Sequence, residues 1–196
     1  MYLREEMGLM KKTLIIVGII LAILIIPIVM AVGSYNSLVQ LDENVDAQWA
    51  QVLNQLKRRT DLIPNLVNTV QGFADQERDV LIGVTEARSR LENSNSPEEA
   101  AEANAQLTNA LSSLNVVVER YPELKSNENF IRLQDELAGT ENRISVARRD
   151  YNQSAQDLNS RVRRFPTNIF ANIFGFETRE YFEVSEEDQE VPEVNF

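Results

Sequence analysis

The sequence predicts an all-α protein: a single N-terminal transmembrane helix, an antiparallel up-and-down four-helix bundle, a short C-terminal apolar helix and an acidic tail. Three observations predict it. The stretch Thr13–Val32, TLIIVGIILAILIIPIVMAV, is uncharged and apolar all round; at about 1.5 Å rise per residue, a helix of that length spans the roughly 30 Å hydrocarbon core of a bilayer. Beyond Gly33, apolar residues recur at helical spacing, with few glycines or prolines and only short β-branched runs. Finally, Phe130, Leu137, Ile144, Tyr151, Leu158 and Phe165 repeat every seven residues without a break, the period of left-handed helix packing.

The expected division is residues 1–12 as a flank, 13–33 as the anchor, 34–164 as the bundle domain, 165–182 as a short apolar helix and strap, and 183–196 as a disordered acidic tail. A cleaved signal peptide is the rival reading of the first stretch. Lys11 and Lys12 would be its basic region and Val29-Met30-Ala31 its cleavage site. The apolar run continues past Pro27 to Val32, longer than such a peptide needs, and membrane helices tolerate proline. A retained anchor is therefore favoured. Arg4, Lys11 and Lys12 precede it, whereas the first basic residue after it is Lys57. The positive-inside rule then places the N-terminus in the cytoplasm and the bundle outside, in a single-pass protein of the cell membrane.

Composition excludes several classes of function. Asp and Glu number 30 against 19 Lys and Arg, so no basic face is expected for a nucleic-acid partner. There is no Cys and no His, which removes thiol chemistry, the commonest general base and the commonest transition-metal ligand. A di-iron carboxylate bundle in its usual form needs His, and no phosphate-binding loop, dinucleotide fingerprint or nucleophile elbow is present. No cofactor, metal or catalytic residue is expected, and the protein is read as a non-enzyme.

Along the chain, the first soluble helix starts at Ser34, with a stripe of Leu38, Val45, Val52 and Arg59 at seven-residue spacing, filled in by Trp49 and Leu56. Pro64 lacks a backbone donor and biases Ile63 away from helix. A turn near Asp61–Pro64 is favoured, because a straight helix would leave this stripe without an intrachain partner; burying such side chains is worth about 1.5–3 kcal/mol each. The turn would bring Trp49 near Val80. A kinked, continuous helix buried in an oligomer is the alternative. The second helix is expected from Pro64 to Leu91, with Gly72 as its weak point. After the connector Glu92–Pro97, Ser96 caps a third helix and Pro97 occupies its first position. Tyr121-Pro122 stops that helix near Arg120. The fourth, Asn127 to Arg164, carries the heptad row and a smaller companion row of Leu133, Thr140, Ala147 and Ser154.

These residues carry a resemblance. The N-terminal span followed by YNSLVQLDENV, Trp49, KRRTDLIPNLV, TEARS, YPELKSNENF, GTENRISVARRDYN and FPTNIFANIFGF is similar to the LemA family. The likeness covers Tyr35 to Phe182 in order and leaves the acidic tail outside. It implies an all-α antiparallel bundle on one membrane anchor. It also implies kinship with a magnetosome protein linked to membrane formation, in a family whose general biochemical role is undefined. It brings no catalytic residue.

The expected function is a membrane-anchored helical scaffold or adaptor that self-associates and helps to shape or organise the membrane. The alternative is a sensor or accessory subunit that binds a small ligand or protein partner through the bundle. The expected partners are the lipid bilayer and further copies of the chain; the sequence names no protein partner. The fourth helix, about 38 residues and ~57 Å long against ~36 Å for the third, should carry Phe165–Phe176 back to the bilayer. There, Ile169, Phe170, Ile173, Phe174 and Phe176 could lie in the interface, with Arg163 and Arg164 at the headgroups; the other reading is that these aromatics close the core. Arg59 and Arg148 fall beside apolar rows and are expected as buried charges, Arg59 paired with Glu119 or Glu128 and Arg148 with Glu86.

Overall fold

The computed structural model describes residues 2–74 and 76–183, and their side chains from Leu14 onward. Among these residues the chain is all-helical. It consists of α1 (Tyr2–Gln71), α2 (Arg78–Glu92), α3 (Pro97–Val118), α4 (Pro122–Lys125), α5 (Glu128–Arg163) and α6 (Thr167–Phe174). The described residues separate into two compact units, one of residues 2–43 and 157–178, the other of residues 44–74, 76–156 and 179–183. Of the acidic tail expected over 183–196, residues 184–196 lie outside the described residues.

The turn expected at Asp61–Pro64 does not form, because α1 continues through Pro64 to Gln71. Two features make this possible. The apolar stripe does not stop at the proline: Val45, Val52, Leu56, Ile63, Leu66 and Val70 are all buried, so the buried face keeps its three- and four-residue spacing on both sides. The local defect is also repaired. A proline at 64 leaves the carbonyl of Thr60 without its helical donor, and Thr60 is buried. The Nε–H of Arg88, on α2, donates to that carbonyl at 2.9 Å, and the same guanidinium holds Glu92 at 2.7 Å through Nη2. Pro64 itself faces solvent.

The reversal comes at Gly72–Glu77 instead. The amides of Phe73 and Ala74 both donate to Val70 O, at 3.0 and 2.9 Å, and Glu77 N donates to Ala74 O at 3.0 Å. The second helix consequently begins at Arg78 rather than Pro64. Glu77 spends its carboxylate elsewhere: it accepts from the Tyr121 hydroxyl at 3.0 Å and pairs with Arg120 at 3.1 Å. This ties the α1–α2 turn to the α3–α4 connector. The bond to Glu77 is the main reason the Tyr121 hydroxyl holds its proton above the usual phenol range.

The third helix starts as the sequence predicts. Ser96 is the N-cap, its side chain accepts from Glu99 N at 3.2 Å, and Pro97 follows. The Glu99 carboxylate reaches back to Asn95 N at 2.8 Å, a variant of the capping box. At α5, Asn127 Oδ1 accepts from Phe130 N at 3.1 Å.

Within the larger unit, α1 and α5 run antiparallel, since partner numbers fall along α5 as they rise along α1. Asn44 Nδ2 donates to Ser154 Oγ at 2.9 Å, Trp49 meets Tyr151 with ring centroids 5.2 Å apart, and Arg59 meets Glu141. Bonds from Arg90 to Gln106 (2.9 Å) and from Gln134 to Asn115 (3.0 Å) join α2 to α3 and α5 to α3. Trp49 therefore packs on Tyr151 and Phe182, not near Val80. Phe182 belongs to an extended strap. Its amide donates to Asn152 Oδ1 at 2.8 Å, the Tyr151 hydroxyl donates to Glu180 O at 2.8 Å, and Arg179 pairs with Asp46 at 3.3 Å.

Candidate functional site

The smaller unit contains the apolar N-terminal half of α1 and all of α6. Every residue from Leu14 to Met30 is exposed, including ten Ile and Leu side chains between Leu14 and Ile26. A helix apolar on every side, with no protein covering it, is suited to hydrocarbon rather than water. This one is long and apolar enough to cross a membrane.

Tyr35 stands three residues beyond Val32 on the same helix. Its ring meets Phe174 edge-on at 5.0 Å between centroids and Phe176 at 5.9 Å. Gly175 makes the double contact possible. It ends α6 in the left-handed region, at φ 77°, where side chains other than glycine's are strained. The reversal lets Phe176 N donate to Ala171 O at 3.0 Å and brings Phe176 round to Tyr35.

Thr167 and Ala171 form the buried side of α6. The opposite side is apolar and open: Ile169 is 49% exposed, Ile173 68% and Phe174 42%, and Phe165 just before the helix is 76% exposed. Phe170 and Phe176 are half-buried, and Arg163 and Arg164 are exposed. Of the five interface candidates, then, Ile169 and Ile173 are exposed, Phe174 is shared between surface and Tyr35, and Phe170 and Phe176 are partly packed. Phe165 also ends the heptad row. It alone among the six is exposed, because α5 stops at Arg163.

In the larger unit, Arg59 is 3% exposed. It sits where α1, α3 and α5 meet. Nη1 donates to Asn104 Oδ1, Nη2 donates to Thr108 Oγ1 at 3.0 Å, and Glu141 pairs with Nη1. Its Nε is buried without a hydrogen-bond partner. Burial lowers the guanidinium's affinity for its proton, and Glu141 offsets part of that effect. The partners expected at the sequence level, Glu119 and Glu128, are not used; Glu119 pairs with Lys125 instead. Asn104 was the missed signal, a polar residue on the buried face of α3 between Ala103 and Leu107.

Arg148 is exposed, so it is not a buried charge and does not form the expected buried pair with Glu86. It lines an open surface cleft of about 550 Å³ with Arg149, Asn152 and Tyr181. The heptad reading misplaced it because position 148 lies between Ile144 and Tyr151 in sequence but on the wet flank of α5. Among the described residues, no group of three or more acidic side chains is placed to hold a metal ion.

Comparison with known proteins gives a consistent family. The chain is 26% identical over 175 residues to magnetosome proteins MamQ 1 and MamQ 2 of Paramagnetospirillum magneticum, covering 76% of this chain and 64% of theirs. It therefore spans a little under two thirds of those relatives' length. It is also 26% identical over 156 residues to protein LemA of Metamycoplasma hominis, covering 79% of this chain and 71% of that one. The LemA family profile matches residues 48–196; the match takes in the acidic tail, which the motif likeness left outside. With three quarters of its length inside that match, the chain belongs to the LemA family.

Proposed function

We propose that the protein is a single-pass membrane scaffold held to the bilayer at two points, the anchor Thr13–Val32 and the open face of α6. The observation that carries this reading is the contact of Tyr35 with Phe174 and Phe176. It holds α6 beside the end of the anchor and leaves Ile169 and Ile173 uncovered. Amphipathic helices of this kind lie in the interface with their apolar face among the acyl chains. An anchor alone lets a domain swivel; a second contact sets its tilt, and a set tilt repeated over many copies imposes curvature. The basic residues Arg4, Lys11 and Lys12 favour a cytoplasmic N-terminus.

In this reading α1, α2, α3 and α5 make an antiparallel four-helix bundle, and copies associate laterally through the anchor, whose apolar surface is free for helix packing in the membrane. Kinship with the magnetosome proteins MamQ 1 and MamQ 2 is in keeping with this reading.

The absence of cysteine allows a direct test. A single Ile173→Cys carrying an environment-sensitive fluorophore, in the full chain in vesicles, should be quenched by lipids spin-labelled near the headgroup. The same label at Ser113→Cys on α3 should not. Equal lack of quenching at both positions removes the second attachment point. Cross-linking at low expression should yield dimers or larger species, and monomer alone would end the self-association reading.

A further inference from the structure

The smaller unit also contains an open cleft that this reading does not use. It measures about 320 Å³ and is lined by Ser37 and Leu41 of α1 and by Asp157, Ser160, Arg161 and Arg164 at the end of α5. We infer that it is a binding site for the phosphate of an anionic phospholipid, with Arg161 and Arg164 as the cationic ligands and Ser37 and Ser160 as hydroxyl donors. The inference rests on the interfacial reading of α6 and adds a headgroup to it.

Three features converge on a phosphate. Arg161 and Arg164 are one turn apart, so both guanidiniums can close on one group, and guanidinium forks match phosphate oxygens better than any other side chain does. The Nε of Arg161 is buried and no acceptor of the chain takes its proton, so a small shift of this side chain offers that donor, with the Nη atoms, to an anion in the cleft. Two guanidiniums against the single carboxylate of Asp157, which has a partner of its own, leave one net positive charge, equal and opposite to a phosphodiester.

The level is also right. Ser37 is five residues past Val32, about 7.5 Å further along the helix, at the outer edge of a headgroup layer roughly 5–7.5 Å thick on each side of the hydrocarbon core. Leu41 gives the cleft an apolar wall. The uncovered Ile169 and Ile173 would enter the bilayer while the arginines take the phosphate, the arrangement of two weak signals that stable peripheral attachment requires.

The test uses the full chain in nanodiscs of phosphatidylcholine with phosphatidylglycerol, followed by native mass spectrometry of the lipids that remain bound. Wild type should retain phosphatidylglycerol over phosphatidylcholine. Arg161→Gln with Arg164→Gln should weaken that retention about tenfold, the loss expected for one strong charge-assisted contact. Arg164→Gln alone, at an exposed position that should not disturb folding, should give part of the loss. The quenching of the label at residue 173 is measured on the same samples. If that label stays in the bilayer while wild type and both variants retain phosphatidylglycerol equally, the lipid site is wrong and the interfacial reading stands. If the label is outside the bilayer, the interfacial reading fails and the site falls with it. If millimolar inorganic phosphate displaces the bound lipid as effectively as added phosphatidylglycerol does, the cleft takes free phosphate and the lipid assignment is overturned.

Discussion

Arg59 and the face of α6 break the ordinary rule of inside and outside in opposite directions. Arg59 is a charge within the protein, 3% exposed; Ile169, Ile173 and Phe165 are apolar side chains left outside it. The two cases differ in what completes them. Arg59 finds Asn104, Thr108 and Glu141 within its own chain, so both of its Nη atoms are answered internally, with only Nε left unpaired, and it reads as architecture. On the α6 face, Tyr35 meets Phe174 and Phe176, and the two isoleucines stay exposed among the described residues. An internally satisfied oddity costs the fold little, whereas an unsatisfied one points to something outside the chain.

The comparison can be broken most forcefully at Arg59. Arg59→Ala should destabilise the protein by about 2–4 kcal/mol, because it leaves Asn104 and Thr108 without their donor at a buried site and opens a cavity, while Glu141, with its side chain 44% exposed, can turn to water. Chemical denaturation in detergent micelles measures this. A cost under about 1 kcal/mol would mean the cluster is as idle as a surface ion pair.

Tyr151 tests the same core by pH. Burial pushes its hydroxyl from 10.0 up to about 12, the nearby Glu180 and Asp46 adding to the rise and Arg179 opposing it. A folded-state value raised above the unfolded one gives stability that is complete below pH 10 and lost as pH rises toward 12. The loss should be about 2–3 kcal/mol across that window, and Tyr151→Phe should flatten the curve. An unchanged alkaline limb in the variant would assign the loss to other groups.

The repair of Pro64 comes next in size. Arg88→Leu should cost about 1–3 kcal/mol by leaving the buried Thr60 carbonyl without a donor. In a Pro64→Ala background, where the helix supplies its own N–H, most of that cost should vanish. A double-mutant cycle showing no coupling would separate Arg88 from the proline.

The smallest effect on stability is expected at the α6 face. Ile169→Glu with Ile173→Glu should change unfolding free energy by no more than about 0.5 kcal/mol, as exposed substitutions do, while removing lipid quenching of a label placed at Asn172. A large destabilisation would make this face part of the core and erase its contrast with Arg59.

The anchor, the helical class and the cap at Ser96 were legible in sequence because each depends on neighbours a few residues away. An uncharged run, a three-and-four periodicity or a Ser-Pro-Glu-Glu start acts within one or two helical turns. Continuity through Pro64 was half legible. The stripe from Val45 through Leu56 and Ile63 to Val70 runs across the proline without a change of phase, and that pattern deserved more weight than the local rule against proline. What no local rule contains is the donor from Arg88, twenty-eight residues away in sequence. The same holds for Arg59, whose register position suggested burial while its partners came from two other helices. It holds also for Phe165, which shares a heptad row with five buried residues and is exposed because α5 ends two residues before it. Periodicity decides which side of a helix is apolar, because backbone geometry is local. Tertiary structure decides what that side meets, and so whether a broken hydrogen bond, a buried charge or an apolar face is answered within the chain or left open for the membrane.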